Sequence, residues 1–309
     1  MAKDISFVMP VLNEEQYLEA AVKSVFDQDV PGERELVLAL GPSSDSTNDV
    51  AKKLKRKYGV KLQLVNVARA NTSAQLNAAV EKSKYSVVVR VDAHAELSSG
   101  YATTALSVLE STGAANVGGL MRAVGETDFQ SAVAYGYNNR VGLGGGAFHV
   151  GAKAGPSESV YLGVFDKEKL LSVGGFDPKW VRGQDWELNQ RLRAAGHVVW
   201  FEPRLEVVYR PRSSWRALAK QFFKTGIWRG SLTRDNPGQS AVRYWVPPML
   251  LLSLVFVFPL WIYLGAIAIV AASAKDLAAN SKLWLMVVLP TMHLCWGAGF
   301  WLGLIREAK

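Results

Sequence analysis

Three carboxylates and one imidazole carry the chemical interest of this 309-residue chain: Asp45, Asp92, Asp185 and His94. Asp92 and His94 stand two apart in VVVRVDAHAEL (residues 87–97), where a run of β-branched residues gives way to a loop. A carboxylate oxygen and an imidazole nitrogen brought to one place suit a divalent ion, Mn²⁺ well and Mg²⁺ less well. The local alternative is that Asp92 caps a turn and His94 is an incidental polar residue. Asp45, in GPSSDST, either faces a ligand or starts the next helix. Asp185, in GGFDPKWVRGQDWEL, either takes a proton from a reacting hydroxyl or is, with Glu187, one of two acids suited to a helix's first turn.

These groups need a scaffold, and the apolar pattern supplies one. ISFVMPV (5–11), ELVLALG (35–41), KLQLVNV (61–67) and YSVVVRV (85–91) have the composition of buried strands. Helices are expected over 14–27, with Asn13 as its cap, and over 48–58 and 73–83. Strands alternating with helices predict a mostly parallel sheet covered on both faces, with ligands at the carboxyl ends of the strands. The loops beginning at Pro10, Gly41, Ala68 and Asp92 are therefore the ones that face a ligand. Asp45, Asp92 and the pair Arg69 and Asn71 occupy three of those exits, and their convergence favours a binding site over isolated caps. Downstream come a helix over 101–112, a strand near 116–120, a helix over 185–195 and a strand at 198–201. The glycine-rich VGLGGGAFHVGAKAGP (141–156) has neither a Walker-type lysine ending nor a dinucleotide fingerprint.

Half of the residues are hydrophobic, and the surplus is concentrated at the C-terminus. No Asp, Glu, Lys or Arg occurs at 244–274 or at 283–305. A helix of roughly 20 apolar residues crosses a hydrocarbon core, so two membrane spans joined by SAKDLAANSK are expected. Pro247, Pro248 and Pro259 suggest a late start or kink in the first span, and Trp245, Trp261, Trp284 and Trp301 are candidate interface anchors. The N-terminus is too short and too strand-like for a signal peptide, which places the large N-terminal part in the cytosol of a multi-pass cell-membrane protein. Arg306 and Lys309 would return to the same side. The expected division is 1–210 catalytic, 211–243 basic and membrane-proximal, and 244–309 hairpin.

The net charge of +8 does not point to nucleic acid. Arg210, Arg212, Arg216, Lys220, Lys224, Arg229 and Arg234 cluster just before the first apolar stretch, where anionic lipid headgroups or diphosphates account for them. Within SWRALAKQFFKTGIW (213–228), Trp215, Leu218, Ala219, Phe222 and Phe223 share one helical face, as in a helix lying on a membrane or packed on its own domain. The single cysteine, Cys295, excludes an intrachain disulfide.

Taken in order, VMPVLNEE, GPSSDST, VDAHAEL, GGFDPKWVRGQDWEL, the basic aromatic segment and the apolar hairpin resemble a family-2 nucleotide-sugar glycosyltransferase. The nearest likeness is to bacterial exopolysaccharide glucosyltransferases of the succinoglycan type, and it covers residues 5–230 by motif. The resemblance implies a GT-A fold and inverting transfer of sugar from a nucleoside diphosphate, UDP favoured, with a divalent metal, Mn or Mg. The acceptor would be a hydroxyl of a lipid-linked or membrane-associated saccharide. It further implies that Pro10, Asn13, Glu14 and Asp45 hold the nucleoside, that Asp92 and His94 form the metal–diphosphate motif, and that Asp185 is the base. A polyprenyl-phosphate glycosyl synthase and a non-catalytic membrane scaffold of the same fold are the alternatives.

The sequence departs from the family pattern in three places. His94 replaces the usual second aspartate of the metal motif, and Gln184 stands where a glutamate usually precedes the base. The glutamine and arginine–tryptophan motif of processive relatives is displaced and reversed in QFFKTGIWRG. The last departure argues against a polymerase.

Overall fold

The computed structural model describes residues 4–143, 145–180, 183–235, 241–254 and 257–306. Gly144, Val181, Arg182 and Lys309, which figure in the motifs and topology above, lie outside the described residues. By contacts within the chain it forms two units, residues 1–122 with 151–209 and residues 123–150 with 210–309. Residues 123–150 group by these contacts with residues 210–309.

In the first unit, alternating hydrogen-bonded strands bury their side chains on both faces. β1 (Ile5–Val11) has six of seven residues buried; β2 (Arg34–Leu40) and β4 (Val87–Arg90) flank it, and β3 (Leu62–Asn66) lies outside β2. Pairings β3·β2, β2·β1 and β1·β4 are parallel. The remaining strands are β5 (Glu96–Leu97), β6 (Asn116–Ala123), β7 (Gly155–Pro156), β8 (Tyr161–Asp166) and β9 (Val199–Tyr209). The order is β3-β2-β1-β4-β8-β6-β9-β5, with β7 on β9. β8 runs antiparallel to both β4 and β6, so the sheet expected to be mostly parallel is mixed.

Helices α1 (Leu18–Phe26), α2 (Thr47–Tyr58), α3 (Thr72–Lys82) and α4 (Tyr101–Thr112) follow the strands as the periodicity predicts. α1 starts later than expected, and Asn13 does not cap it. Its N-cap position is Tyr17, which makes no side-chain cap bond. α8 (Lys167–Ser172) and α9 (Gln184–Ala194) complete this unit.

The second unit is helical: α5 (Asp128–Asn138), two single turns α6 (Arg140–Leu143) and α7 (Ala147–Val150), then α10 (Trp215–Asp235), α11 (Val246–Ser253), α12 (Val257–Ser273) and α13 (Ala279–Ile305). The first expected span is not one helix. It is divided between α11 and α12, with Leu254 in a turn; Pro248 falls in the first turn of α11, where proline is tolerated, and Pro259 near the start of α12 disfavours a helix continuing into it from α11. Among the described residues only α13 is long and apolar enough to cross a membrane, and half of its apolar stretch is buried inside the protein. The multi-pass expectation is therefore not supported.

α10 and α13 run parallel and approach at backbone distance because both carry glycines four apart. A Cβ at Gly226 would lie 2.1 Å from the Trp296 carbonyl oxygen, and one at Gly230 2.1 Å from that of Phe300. In return, a Cβ at Gly299 would lie 2.1 Å from the Phe223 carbonyl oxygen and one at Gly303 2.0 Å from that of Ile227. Small residues at this spacing let helices pack at backbone distance, most familiarly in membranes. On α10, Leu218 and Phe222 are buried as the apolar face predicts, whereas Trp215 and Phe223 are exposed. Of the four candidate interface tryptophans, Trp245 and Trp301 pack within the unit around Phe300, and Trp261 and Trp284 are exposed.

Candidate active site

The loops leaving β1 and β2 are laced to each other. The Asn13 backbone N–H donates to Ser43 Oγ (3.0 Å), and Asn13 Oδ1 accepts from the Ser44 N–H (2.8 Å). To reach across, Asn13 takes a left-handed backbone (φ 57°), which asparagine tolerates better than most residues. The Glu14 N–H donates to Thr47 Oγ1 (2.7 Å), and Glu15 Oε2 accepts from the Ser46 N–H (2.8 Å). Asp45 accepts from the N–H groups of Thr47 (3.1 Å) and Glu15 (3.4 Å). The hydrogen bond from the Thr47 side chain, above all, holds the Asp45 carboxyl below the usual carboxylate range, and the two N–H bonds add to it. Underneath, buried Gln75 of α3 donates to the carbonyls of Val11 (2.9 Å) and Ala39 (2.8 Å), fixing the ends of both strands. Pro10 sits in the same register, opposite Ala39.

The exit of β4 brings the charged groups together. His94 Nδ1 lies 2.8 Å from Glu14 Oε1, joining two residues that the motifs place 80 positions apart. Arg90, whose side chain is only 4% exposed, ends β4 and forks between two carboxylates. Its Nη2 (2.9 Å) and Nε (3.2 Å) donate to Asp92 Oδ1, and its Nη1 donates to Asp185 Oδ1. Burial by itself would raise the pKa of Asp92, but Arg90 and His94 outweigh it and hold that carboxyl below its ordinary value. Tyr161, at the start of β8, lies within electrostatic reach of Asp92, and burial pushes its hydroxyl well above the usual phenol range.

Asp185 reaches this place through a chain of local choices. Just past α8, Gly174 and Gly175 both have positive φ, and a Cβ at Gly175 would lie 2.7 Å from Asn77 Oδ1. Asn77 of α3 pairs with both backbone groups of Phe176, accepting from its N–H (2.8 Å) and donating to its carbonyl (2.7 Å). Phe176 is fully buried, packed edge-on against Phe165, with the Arg90 guanidinium 5.9 Å from its ring centre. Gly183, at φ 69°, is the N-cap of α9, so Asp185 falls in the first turn with its side chain 25% exposed.

The other expected residues are placed differently. Asn71 caps α3 by accepting from the Ala74 N–H (2.9 Å), and it donates to the Pro178 carbonyl (2.9 Å), so both of its amide ends are engaged structurally. Arg69 is exposed on the loop after β3. Glu187 forms a two-pronged pair with Arg191 (2.6 and 2.7 Å), which assigns it to α9 rather than to the charged cluster. Sequence reasoning missed Arg90, Tyr161 and Glu15. Only Arg90 left a signal, a charge inside VVVRV.

Asp92 and His94 fit a divalent cation in chemistry. A histidine whose ring is oriented by a carboxylate, as His94 is by Glu14, is the usual form of a metal-ligating imidazole. Among the described residues no three His, Cys, Asp or Glu side chains gather as a metal cluster.

Residues 6–162, just over half of the chain, match the model of Glycosyl transferase family 2. The Succinoglycan biosynthesis protein ExoA of Rhizobium meliloti (strain 1021) is 28% identical, over 95% of this chain and 93% of that protein. A Methanococcus voltae protein is 26% identical, over 98% and 97%; it is described as a dolichyl N-acetyl-alpha-D-glucosaminyl phosphate 3-beta-D-2,3-diacetamido-2,3-dideoxy-beta-D-glucuronosyltransferase. Among solved structures, the mannosyltransferase PcManGT from Pyrobaculum calidifontis, in complex with GDP-Man and Mn²⁺, aligns at TM-score 0.64 and 16% identity. That alignment covers 98% of this chain and 88% of PcManGT, and it bears on the fold alone.

Proposed function

The chain belongs to glycosyltransferase family 2 and has a GT-A-type fold, and from that premise we propose that it is an inverting enzyme of the cell envelope. It moves a sugar from a nucleoside diphosphate, UDP favoured, to a hydroxyl of a lipid-linked or membrane-associated saccharide. The observation that carries this reading is the convergence of Asp92, His94 and Asp185 at the exit of β4, beside the laced loops after β1 and β2. Both relatives described above are named for saccharide biosynthesis or transfer, and the archaeal one is named for a lipid-phosphate-linked acceptor, which supports a lipid-linked saccharide here.

In this reading Pro10, Asn13, Glu14 and Asp45 face the nucleoside, and Arg69 lies on the neighbouring exit. The bonding of Asn71 to α3 and Pro178 makes its role the placement of that exit rather than contact with the donor. Asp92 and His94 would hold Mn²⁺ or Mg²⁺, which when bound neutralises charge on the departing diphosphate. Asp185 accepts the proton of the attacking hydroxyl. Gln184 cannot accept a proton as the usual glutamate would, which leaves Asp185 as the carboxylate of its turn that faces the cluster. The helical unit associates with membrane lipid through α13 and the exposed apolar side chains of α11 and α12.

A panel of nucleoside-diphosphate sugars, incubated with membrane lipid extract and Mn²⁺ or Mg²⁺, tests the reading. Sugar joined to a hydroxyl of a lipid-linked saccharide, and lost in excess EDTA, is the expected product. Sugar joined directly to a lipid phosphate would replace this reading with a polyprenyl-phosphate glycosyl synthase.

A further inference from the structure

We infer that Arg90 is a positioning residue that ties the acceptor-side carboxylate, Asp185, to the donor-side carboxylate, Asp92, so that neither is placed without the other. The inference rests on the reading of Asp185 as the base. A buried guanidinium is costly unless its charge is paired and its donors satisfied. Here the charge is met by two carboxylates from separate segments, one two residues away on the same exit and one 95 residues away on α9. The phenyl ring of Phe176 forms a further wall. β4 fixes the guanidinium from below, since Val89 and Arg90 pair with Val164 and Gly163 of β8 and with Phe7 and Val8 of β1.

The geometry gives the guanidinium a function that simple charge balance would not require. Both Asp92 contacts fall on one oxygen, Oδ1, and the third donor, Nη1, turns to Asp185. A planar fork with its donors at fixed angles transmits position in a way that a flexible ammonium cannot. The two carboxylates are thereby held at one spacing. On its own helix Asp185 follows Gly183, an N-cap that has no side chain with which to fix it. Arg90 is joined to both acids by ion pairs.

The test is a double-mutant cycle on the full-length protein, reading transfer turnover and nucleotide-sugar affinity separately. Arg90→Gln should lower turnover about 100-fold, within the range for loss of a general base, because Asp185 is no longer aimed. It should also weaken donor binding, which Asp185→Asn should not. The combined variant should be less than about threefold slower than Asp185→Asn alone, since two members of one device fail together. Arg90→Lys keeps a charge without the fork and should recover part of the lost turnover. Thermal melting checks the fold, and if Arg90→Gln does not fold, the same cycle is run with Arg90→Lys. Multiplicative losses in the combined variant, or a folded Arg90→Gln with unchanged turnover, would overturn the inference. Near-normal turnover of Asp185→Asn by itself would instead remove the base reading beneath it.

Discussion

The sheet-bearing unit and the helical unit are held at their critical places by opposite means. In the first, the loops after β1, β2 and β4 are fixed by directional bonds, Asn13 to Ser44, Glu14 to Thr47 and Arg90 to two aspartates. In the second, α10 and α13 meet through the absence of side chains at Gly226, Gly230, Gly299 and Gly303. Directional bonds and close packing fail differently. Losing a bond moves a functional group while the core stays intact. Adding a methyl group to a backbone contact separates two helices. Substitutions in the first unit should therefore change activity more than stability, and those in the second the reverse.

The largest effect that sharpens this contrast is expected at Gly299. By helix propensity alone, Gly→Ala would stabilise a helix by about 1 kcal/mol. Because the new Cβ would lie 2.1 Å from the Phe223 carbonyl oxygen, Gly299→Ala should instead destabilise by about 3 kcal/mol. Gly265, on α12, has nothing within 4 Å of its would-be Cβ, so Gly265→Ala should follow propensity and stabilise slightly. Chemical unfolding of both variants in detergent reads the two signs. Equal shifts would erase the distinction between a packed and an open glycine.

The next effect is smaller and lies in the first unit. Thr47→Val keeps the side chain's shape and removes the acceptor of the Glu14 N–H, at a cost of about 1–3 kcal/mol for a group left unpaired. Since Glu14 orients His94, donor KM should rise about tenfold with kcat changed little, on the scale of losing support to a metal ligand. Steady-state kinetics at saturating acceptor measure the split. A fall in kcat with KM unchanged would remove the loop lacing from donor binding.

The smallest effect concerns acid. Asp92 has a lowered pKa, so its ionised form stabilises the fold above the unfolded value of roughly 4, and that contribution is lost as pH falls through the folded value. Melting temperatures of the native chain and of Asp92→Asn should differ by a steady gap from about pH 5 to 8 and converge below about pH 4. A gap that persists into strong acid would detach Asp92 from its ion pair with Arg90.

Much of this organisation was legible in the residues, and the misses have physical causes. β1 and α4 lie where periodicity places them, because each is long and consistently patterned. β8 was not legible. YLGVFD is six residues with a central glycine, and its strand character comes from antiparallel pairing with β4 and β6, which are distant in sequence. In the first apolar stretch composition points to one span and its prolines to a late start or kink, but neither fixes the division into α11 and α12. The paired glycines were present as TGIWRG and AGFWLG, but the first lies in a basic segment, away from the apolar setting where that spacing draws attention. At the site, the residue types Asp45, Asp92, His94 and Asp185 were visible. Their joining through Arg90 and Glu14 was not, since it depends on side chains meeting across 80 and 95 positions.

The assignment of Asp185 as the proton acceptor is the claim on which the functional account turns. Asp185→Asn keeps the shape, can still accept from Arg90 through its amide oxygen, and removes the carboxylate. Turnover of transfer to a hydroxyl acceptor and nucleotide-sugar affinity should be measured side by side on the folded variant. Turnover lower by about 10²–10⁴-fold, with affinity nearly unchanged, is the expected result. Near-normal turnover would contradict it, and lost nucleotide affinity would move Asp185 to the donor side.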